Sequence, residues 1–319
     1  MISLRYHLVS LTAVFLALAI GVVLGSTAIS DRLLSGLSSD RDGLGRQVRD
    51  LQAEGNALRA RLADADSFGR AVGPRAVRDT LRGRSVVVLA TADADPADRD
   101  ALTALLGQAG ATVTGEVQLT DAFTDPDRAE QLSELSARLL PAGARLPTTS
   151  DSGTLAGGLL GSLLLDPGTG QPQTPSAQIT PAEATAALAG LDDGGYVHLP
   201  QAITPAQLAV VLTGGAPAGA SRAGGADRAG IVARFATQLD RSGGGAVLAG
   251  RTGSADGDGP VGVVRADTTS TSLLSTVDHV GTSAGRVVTV LALAEQAQGR
   301  AGRYGTASNA QATVPPIQS

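Results

Sequence analysis

The feature that most constrains this chain is one long apolar stretch near its start. From Leu8 to Gly25 the sequence is apolar except for Ser10 and Thr12. As a helix, this stretch would extend about 27 Å, close to the roughly 30 Å thickness of the hydrocarbon core of a bilayer. The sequence therefore predicts an N-terminal transmembrane anchor within residues 1–28.

The residues on either side of this stretch predict its orientation. Arg5 and the terminal amine precede it, and positive charge is retained on the cytoplasmic side of a membrane. We therefore expect a single-pass protein of the cell membrane or envelope, with a cytoplasmic N-terminus and the C-terminal domain outside. A cleaved signal peptide is the alternative, because Ser26-Thr27-Ala28 offers small residues at a possible cleavage site. Both interpretations export the rest of the chain.

A leucine heptad follows the apolar stretch. Apolar residues recur every seven positions, with others three or four residues away, which is the pattern of a coiled coil. We predict a coiled coil over residues 29–68 that holds two or more copies of the chain together, most simply as a parallel homodimer. Arg41 and Gly55 interrupt the pattern, so an amphipathic helix packed on its own domain is the alternative. The predicted contact residues are Leu37, Leu44, Val48, Leu51, Leu58 and Leu62.

The remaining chain begins with a strand–helix–strand pattern. Ser85–Ala90 is an apolar run of strand length, residues 97–108 have helical spacing closed by Gly110, and residues 111–119 form a second strand. Such units build parallel sheets covered by helices. The sequence therefore predicts an exported, Rossmann-like α/β domain with a mainly parallel sheet over residues 75–304.

The patterns of other segments predict the remaining elements of the domain. Gly69, Gly73 and Pro74 are expected to end the long helix, and a Gly/Pro-rich linker near residues 166–180 could divide the domain into two lobes. Residues 305–319 are predicted to be a disordered tail. The patterns predict helices at 181–191 and 227–241, and strands at 196–199, 246–249, 261–264 and 276–277.

Composition excludes several kinds of chemistry. The chain contains no cysteine and no lysine, so it can form no disulfide, cysteine nucleophile, Schiff-base lysine or lysine-dependent phosphate loop. The net charge is -5, whereas binding to nucleic-acid phosphates needs a concentrated positive surface. We therefore expect no nucleic-acid partner.

One motif is compatible with catalysis. Gly281-Thr282-Ser283-Ala284-Gly285 matches the G-x-S-x-G nucleophile elbow. The hydrolase mechanism needs an acid and then a histidine after the serine, but Glu295 is the only acidic residue that follows and no histidine does. The alternative is a helix N-terminus capped by Thr282 or Ser283. We therefore predict that the chain is not an enzyme and has no catalytic residue.

Metal binding has three weak candidates. His198 and His279, with Asp278 beside the second, could offer imidazole and carboxylate ligands to Cu(II). Cu(I) prefers sulfur ligands, but Met1 is the only methionine and cysteine is absent. Histidines on the surface or at strand ends are the alternative. No cofactor is evident from these residues.

Both ends of the chain resemble a known family. The opening Met1–His7, the apolar run Val14–Gly25 and the stretches Ser275–His279, Leu291–Leu293 and Gly299–Gly305 are similar to the actinobacterial copper transporter family of the copper transport protein B type. The resemblance implies a membrane or envelope protein of copper transport and copper homeostasis, described as a channel. Copper is expected only through this resemblance.

Two functional hypotheses follow. In the first, the chain is a copper transport component that acts as an oligomeric pore or through other proteins. In the alternative, it is a structural or regulatory coiled-coil envelope protein that recruits a cell-wall or cell-separation partner. The first predicts altered cell copper after deletion of the gene, and the second predicts a defect in morphology with normal copper.

Overall fold

The computed structural model describes residues 4–166, 179–215 and 224–316. Within these ranges, the side chains of residues 4–5, 26–40 and 42 lie outside the description. The chain divides into two compact units, residues 1–65 and residues 66–319. The first unit is helical throughout its described residues, and the second contains the sheet.

The first helix, α1 (Leu4–Ala76), is 73 residues long. It contains Tyr6–Gly25, which among the described residues is the one helical segment long and apolar enough to cross a membrane. This agrees with the predicted apolar helix. The predicted break at Gly69, Gly73 and Pro74 is wrong, because all three residues lie inside α1.

Close packing explains the two glycines at the end of α1. They face α10 (Ser283–Gln296), which belongs to the same unit. A Cβ atom at Gly69 would lie 2.2 Å from the Oγ of Ser283, and one at Gly73 would lie 2.8 Å from a methyl group of Val287. The missing side chains therefore let the two helices approach each other, and they do not break the helix.

In the described parts of the chain, seven strands form one sheet in the order β3-β2-β1-β4-β5-β6-β7. Neighbouring strands are parallel except for the β2–β3 pair. The predicted mainly parallel α/β architecture is therefore confirmed. The strands are β1 (Ser85–Ala90), β2 (Thr112–Leu119), β3 (Val197–His198), β4 (Leu208–Thr213), β5 (Ala246–Gly250), β6 (Ser275–Val277) and β7 (Arg303–Tyr304).

Helices cover both faces of this sheet. Along β1, Val86 and Val88 pack toward α10, the helix at Pro96–Gln108 and the residues after α1. Val87 and Leu89 pack toward the opposite face, against the helices at Ser152–Leu164, Gly225–Ser242 and Pro260–Ala266. This alternation buries both faces of the central strand, as in a sheet covered on two sides. The helices after α1 are α2 (Pro96–Gln108), α3 (Asp121–Thr124), α4 (Ala129–Arg138), α5 (Ser152–Leu164), α6 (Pro181–Asp193), α7 (Gly225–Ser242), α8 (Pro260–Ala266), α9 (Thr268–Thr271) and α10, with a 3-10 turn at Pro126–Arg128.

Local sequence signals account for several helix starts. At α2, the side chain of Asp95 accepts a hydrogen bond from the Ala97 N–H, and Pro96 occupies the first turn. At α6, Thr180 and Glu183 form a reciprocal capping box. Such caps satisfy backbone N–H groups that have no partner within the helix.

The predicted strand at residues 261–264 is wrong, since this segment lies in α8. Gly259 precedes the helix and Pro260 occupies its first turn, where the fixed φ of proline favours helix initiation. Val261 and Val264, three residues apart, are both buried on one face. The β-branched residues of this segment have a high strand propensity, and for that reason the sequence predicted a strand. Burial of Val261 and Val264 on one face of a helix outweighs that propensity.

The sheet also joins the two predicted lobes. Strands from before and after residues 166–180 lie side by side in it, and Asp66–Ser319 forms a single unit. Residues 167–178 of the predicted linker lie outside the described residues.

The predicted disordered tail folds back on the edge of the sheet as far as Ala312, and Pro315 beyond it is buried. The Gly305 N–H donates to the Ala312 carbonyl at 3.0 Å, and Tyr304 forms a parallel bridge with Ala312. Disorder is therefore the wrong expectation for residues 305–316, because this segment supplies hydrogen bonds to the sheet. Residues 317–319 lie outside the described part of the chain.

Candidate functional site

The apolar segment of α1 presents a continuous hydrophobic surface. Every large apolar side chain from Tyr6 to Leu24 is more than half exposed, from 52% at Ile20 to 76% at Tyr6. A soluble protein rarely leaves so large an apolar surface in water. Side chains of this kind on all sides of a helix suit the hydrocarbon of a bilayer.

The described contact residues of the predicted coiled coil, which we call the leucine row, form a second exposed apolar surface. Its described members are each between 50% and 69% exposed, and they recur at heptad spacing along α1. The side chain of Leu37 lies outside the described side chains. The members of the row with described side chains are Leu44, Val48, Leu51, Leu58 and Leu62.

Asp278, one of the three metal candidates, is already surrounded by hydrogen-bond donors. Its Oδ2 accepts from the Arg265 guanidinium at 2.7 Å, and its Oδ1 accepts from the Thr306 N–H at 2.8 Å. The Ala307 N–H also donates to Oδ2, at 3.3 Å. Both side chains of the ion pair are almost fully buried.

These contacts control the charge of the carboxylate. Burial by itself would raise the pKa of Asp278, but the adjacent imidazole, the Thr306 N–H and the Arg265 guanidinium outweigh burial and hold the pKa well below its usual range. The carboxylate is therefore ionised, and its oxygens are occupied by protein donors.

The two candidate histidines lie far apart. His279 is buried after β6, and its Nδ1 lies 3.5 Å from an oxygen of Asp278. His198 is largely exposed on β3, 3.9 Å from Asp192. Strands β3 and β6 are five strand spacings apart in the sheet order, or about 24 Å at about 4.8 Å per spacing.

The structure therefore brings Asp278 and His279 together but does not bring His198 to them. Within the described residues, no three His, Cys, Asp or Glu side chains come together in a way that could hold a metal ion. The positions of the two histidines in the sequence do not predict this separation, because the separation depends on the order of strands in the sheet.

The nucleophile-elbow motif forms a helix start. The side chain of Thr282 caps α10 by accepting from the Gly285 N–H at 3.0 Å. The Ser283 hydroxyl donates to the Asp66 carbonyl at 2.8 Å, and the Ser283 N–H donates to the Asp66 carboxylate at 2.5 Å. The capping interpretation of this motif is confirmed for Thr282, and Ser283 contacts the end of α1.

One partly buried charge cluster was not predicted from the sequence. Asp98 of α2 accepts from Arg251 at 2.6 Å and from Arg286 at 3.0 Å, and Asp95 accepts from the same Arg251 at 2.6 Å. The hydrogen bond to Asp98 is the main reason that the pKa of Arg251 is raised.

This cluster lies at the carboxyl edge of the sheet, since Asp98, Arg251 and Arg286 follow β1, β5 and β6 in the chain. Its two arginines are each bound to Asp98, so it fixes α2 and α10 at this edge of the sheet. The sequence positions of Asp98 after β1 and Arg251 after β5 could have predicted this cluster, because the carboxyl ends of parallel strands lie at a common edge.

Comparison with known proteins agrees with the family resemblance. Residues 1–315 match the model of the family described as "Copper transport outer membrane protein, MctB". The protein named "Copper transporter MctB" from Mycobacterium tuberculosis is 43% identical over 319 residues, covering 98% of this chain and 99% of the relative. The protein of that name from Mycobacterium leprae is 40% identical over 325 residues, covering 99% of this chain and all of the relative.

The match extends over the anchor segment, the heptads and the α/β domain, and the family description names transport and not catalysis. The resemblance found at both ends of the sequence is therefore confirmed along nearly the whole chain. This chain belongs to the MctB family of copper transport outer membrane proteins.

Proposed function

We propose that this chain is a membrane-anchored envelope protein that acts in copper transport and copper homeostasis. The observation that carries this proposal is the family match over residues 1–315, together with relatives named copper transporters that align over nearly their full length. The exposed apolar segment Tyr6–Gly25 supports membrane attachment.

The proposed topology has a cytoplasmic N-terminus and the α/β domain outside. Arg5 before the apolar segment supports it. The sheet supports a Rossmann-like description, because β1 lies between β2 and β4, which is the reversal of strand order found in doubly wound folds.

Self-association through the leucine row completes the proposal. Five heptad residues with half or more of their surface exposed are supporting evidence for a partner helix. A second copy meets this need, since each copy carries the same row.

The donor set argues that copper is not held in a buried site of one chain. Cysteine is absent, the only methionine is Met1, and Asp278 is engaged by Arg265 and Thr306. Cu(I) favours soft sulfur ligands. We therefore propose that copper is handled by an assembly of several copies or through a partner protein.

The experiment is a deletion strain whose copper content is measured by plasma mass spectrometry at several external copper concentrations. We expect the deletion to change cell copper and the native chain to restore it. Chains with His198→Ala or His279→Gln should restore it equally well. Unchanged copper in the deletion strain would overturn the proposal.

A second candidate function is supported by the same exposed row and by the lack of a three-residue metal cluster in the described parts of the chain. The protein would then recruit a cell-wall or cell-separation partner through its helix. This alternative predicts chained or misshapen deletion cells with normal copper, so microscopy of the same strain separates the two functions.

A further inference from the structure

We infer that two copies of this chain pair as a parallel, in-register coiled coil whose pairing is set by Glu54 and Arg59. The inference rests on the self-association proposed above and deepens it by naming orientation, register and the residues that select the partner. The evidence is the heptad register of the first unit and the charges that flank it.

The heptad register assigns every residue of this part of α1 to a position. Val48, Gly55 and Leu62 occupy a positions, and Leu44, Leu51 and Leu58 occupy d positions. Valine at an a position with leucine at d positions favours two strands over three or four. The exposed row is therefore suited to one partner helix.

The residues that flank this row carry complementary charge. Glu54 is a g position and Arg59 is the e position five residues later, and both are exposed. In a parallel coiled coil, a g residue faces the e residue of the next heptad on the partner. Glu54 of each copy would therefore lie beside Arg59 of the other, which gives two equivalent ion pairs.

The preceding heptad is compatible with the same arrangement. Its g and e residues are Gln47 and Gln52, both exposed and uncharged. Two amides can donate and accept hydrogen bonds across the interface. No repulsion arises at this level.

A shifted register removes the attraction. If one helix slides by a heptad, Glu54 of one copy meets Gln52 of the other, and Arg61 meets Arg59. Two attractive pairs are lost and a like-charged pair is created, which is unfavourable. The charges therefore favour a single register.

The parallel orientation follows from the apolar segment. Tyr6–Gly25 lies at the same end of each copy, so two chains anchored in one membrane begin their helices from the same side. An antiparallel pair would place the two apolar segments at opposite ends of the coiled coil.

The absence of cysteine makes orientation directly measurable. We would place single cysteines in the full-length chain at Leu44→Cys, Leu51→Cys and Leu58→Cys, and oxidise membranes that contain each variant. All three should give disulfide-linked dimers, because equivalent d residues face each other in a parallel pair. Arg46→Cys, on the outer side of the helix, should crosslink much less.

Loss of crosslinking at both Leu44→Cys and Leu58→Cys would overturn the parallel arrangement. Equal crosslinking at Arg46→Cys would also overturn it, since collision and not a fixed interface would then explain the disulfides.

The charges are tested in the Leu51→Cys background. Glu54→Arg alone and Arg59→Glu alone should each reduce self-crosslinking roughly tenfold, equivalent to about 1.4 kcal/mol, because each places like charges opposite one another. Coexpression of the two single variants should restore crosslinking between them, and the double exchange in one chain should also restore it.

Two matched controls change the same amount of charge away from the e and g positions. Asp50→Arg and Arg46→Glu should leave crosslinking within about twofold of the native charge pattern, because exposed charges remote from the interface contribute little. Equal losses in the controls, or no loss at Glu54→Arg and Arg59→Glu, would overturn the role of these two residues.

The crosslinking results do not depend on whether the chain acts in copper transport. If the crosslinking results are as expected and the deletion strain has normal copper, the proposed function fails and the coiled coil stands. If copper changes and no d-position cysteine crosslinks, the inferred pairing fails and the proposed function stands.

Discussion

Two helical segments of this protein are both apolar and have opposite surroundings. Tyr6–Gly25 in α1 and Ser152–Leu164, which is α5, contain no Asp, Glu or Arg. The first is exposed along its whole length. The second is nearly all buried, with α4, α6 and α7 around it. Apolar composition alone therefore does not determine where a helix lies.

The difference lies in how closely another helix can approach. In α5, glycines at positions 153, 157 and 161 face α7. A Cβ atom at Gly153 would lie 2.4 Å from the Ile231 carbonyl oxygen, and one at Gly157 would lie 2.8 Å from the Phe235 carbonyl oxygen. In the apolar segment of α1, a Cβ atom at Gly21 or Gly25 would meet no atom of the described residues within 4 Å.

Regularly spaced glycines therefore favour close helix packing only where a second helix lies against them. Three glycines at intervals of four residues make α5 a flat surface for the backbone of α7. The bulky side chains of Tyr6–Gly25 suit a fluid solvent, because such a solvent adapts to a surface of any shape. Length then separates the two helices, because α5 is too short to span a bilayer.

The largest expected effect comes from charging the exposed helix. Leu16→Arg with Leu18→Arg adds two charges near the middle of the apolar segment, at about 2.5–3.5 kcal/mol each for insertion. We expect the protein to be lost from the membrane fraction on centrifugation. Ala53→Arg with Ala60→Arg, on an exposed part of α1 outside the segment, is the control and should remain in the membrane.

Full retention of the doubly charged variant would contradict an anchor at this position. Mass spectrometry of the mature N-terminus provides a second check, and a start near Ile29 would favour a cleaved signal peptide.

The next effect comes from filling the tight contact of the buried helix. Gly157→Leu would force a side chain into the backbone of α7, and we expect a loss of about 3 kcal/mol or more in the free energy of unfolding. The measurement is urea unfolding of the full-length chain in detergent, followed by circular dichroism. Gly21→Leu is the matched control and should leave unfolding of the α/β domain unchanged, whereas equal losses would contradict the comparison.

A smaller effect concerns Asp240, near the C-terminal end of α7, the helix that packs against α5. Burial raises the pKa of its carboxyl to about 7, although the Ala246 N–H donates to it and Arg241 lies nearby. The folded state therefore favours the protonated form, so stability is highest below about pH 4 for this group and falls as the pH rises toward 7.

Asp240→Asn keeps an oxygen acceptor for the Ala246 N–H and removes this dependence. We expect the variant to gain about 2–4 kcal/mol relative to the native chain between pH 4 and pH 8. Urea unfolding at both pH values measures it, and Asp193→Asn, which changes an exposed aspartate, is the control. A constant difference between native and Asp240→Asn across this range would refute the assignment.

Local signals predicted much of the fold. The apolar segment, the first strand–helix–strand unit and the helix that begins at Pro181 all follow from spacing and from residues close in sequence. Thr180 and Glu183, for example, bond to each other across three residues. Such contacts can be inferred without knowledge of the rest of the chain.

Long-range contacts account for the failures. Gly69 and Gly73 resemble helix breakers until α10, more than 200 residues later in the sequence, packs against them. His198 and His279 could form a site only if their strands were neighbours, and the strand order separates them. The donors around Asp278 come from two other segments, α8 and the residues after β7, so its engagement by protein donors could not be predicted from neighbouring residues.

The contacts of Asp278 have a consequence for truncation of the domain. Its partner Thr306 follows β7, where Tyr304 pairs with β6 at one edge of the sheet. Removal of Thr306 and the residues after it leaves a buried carboxylate without two of its backbone donors, which is costly. A segment outside every strand and helix is therefore a physical condition for keeping this charge inside the domain.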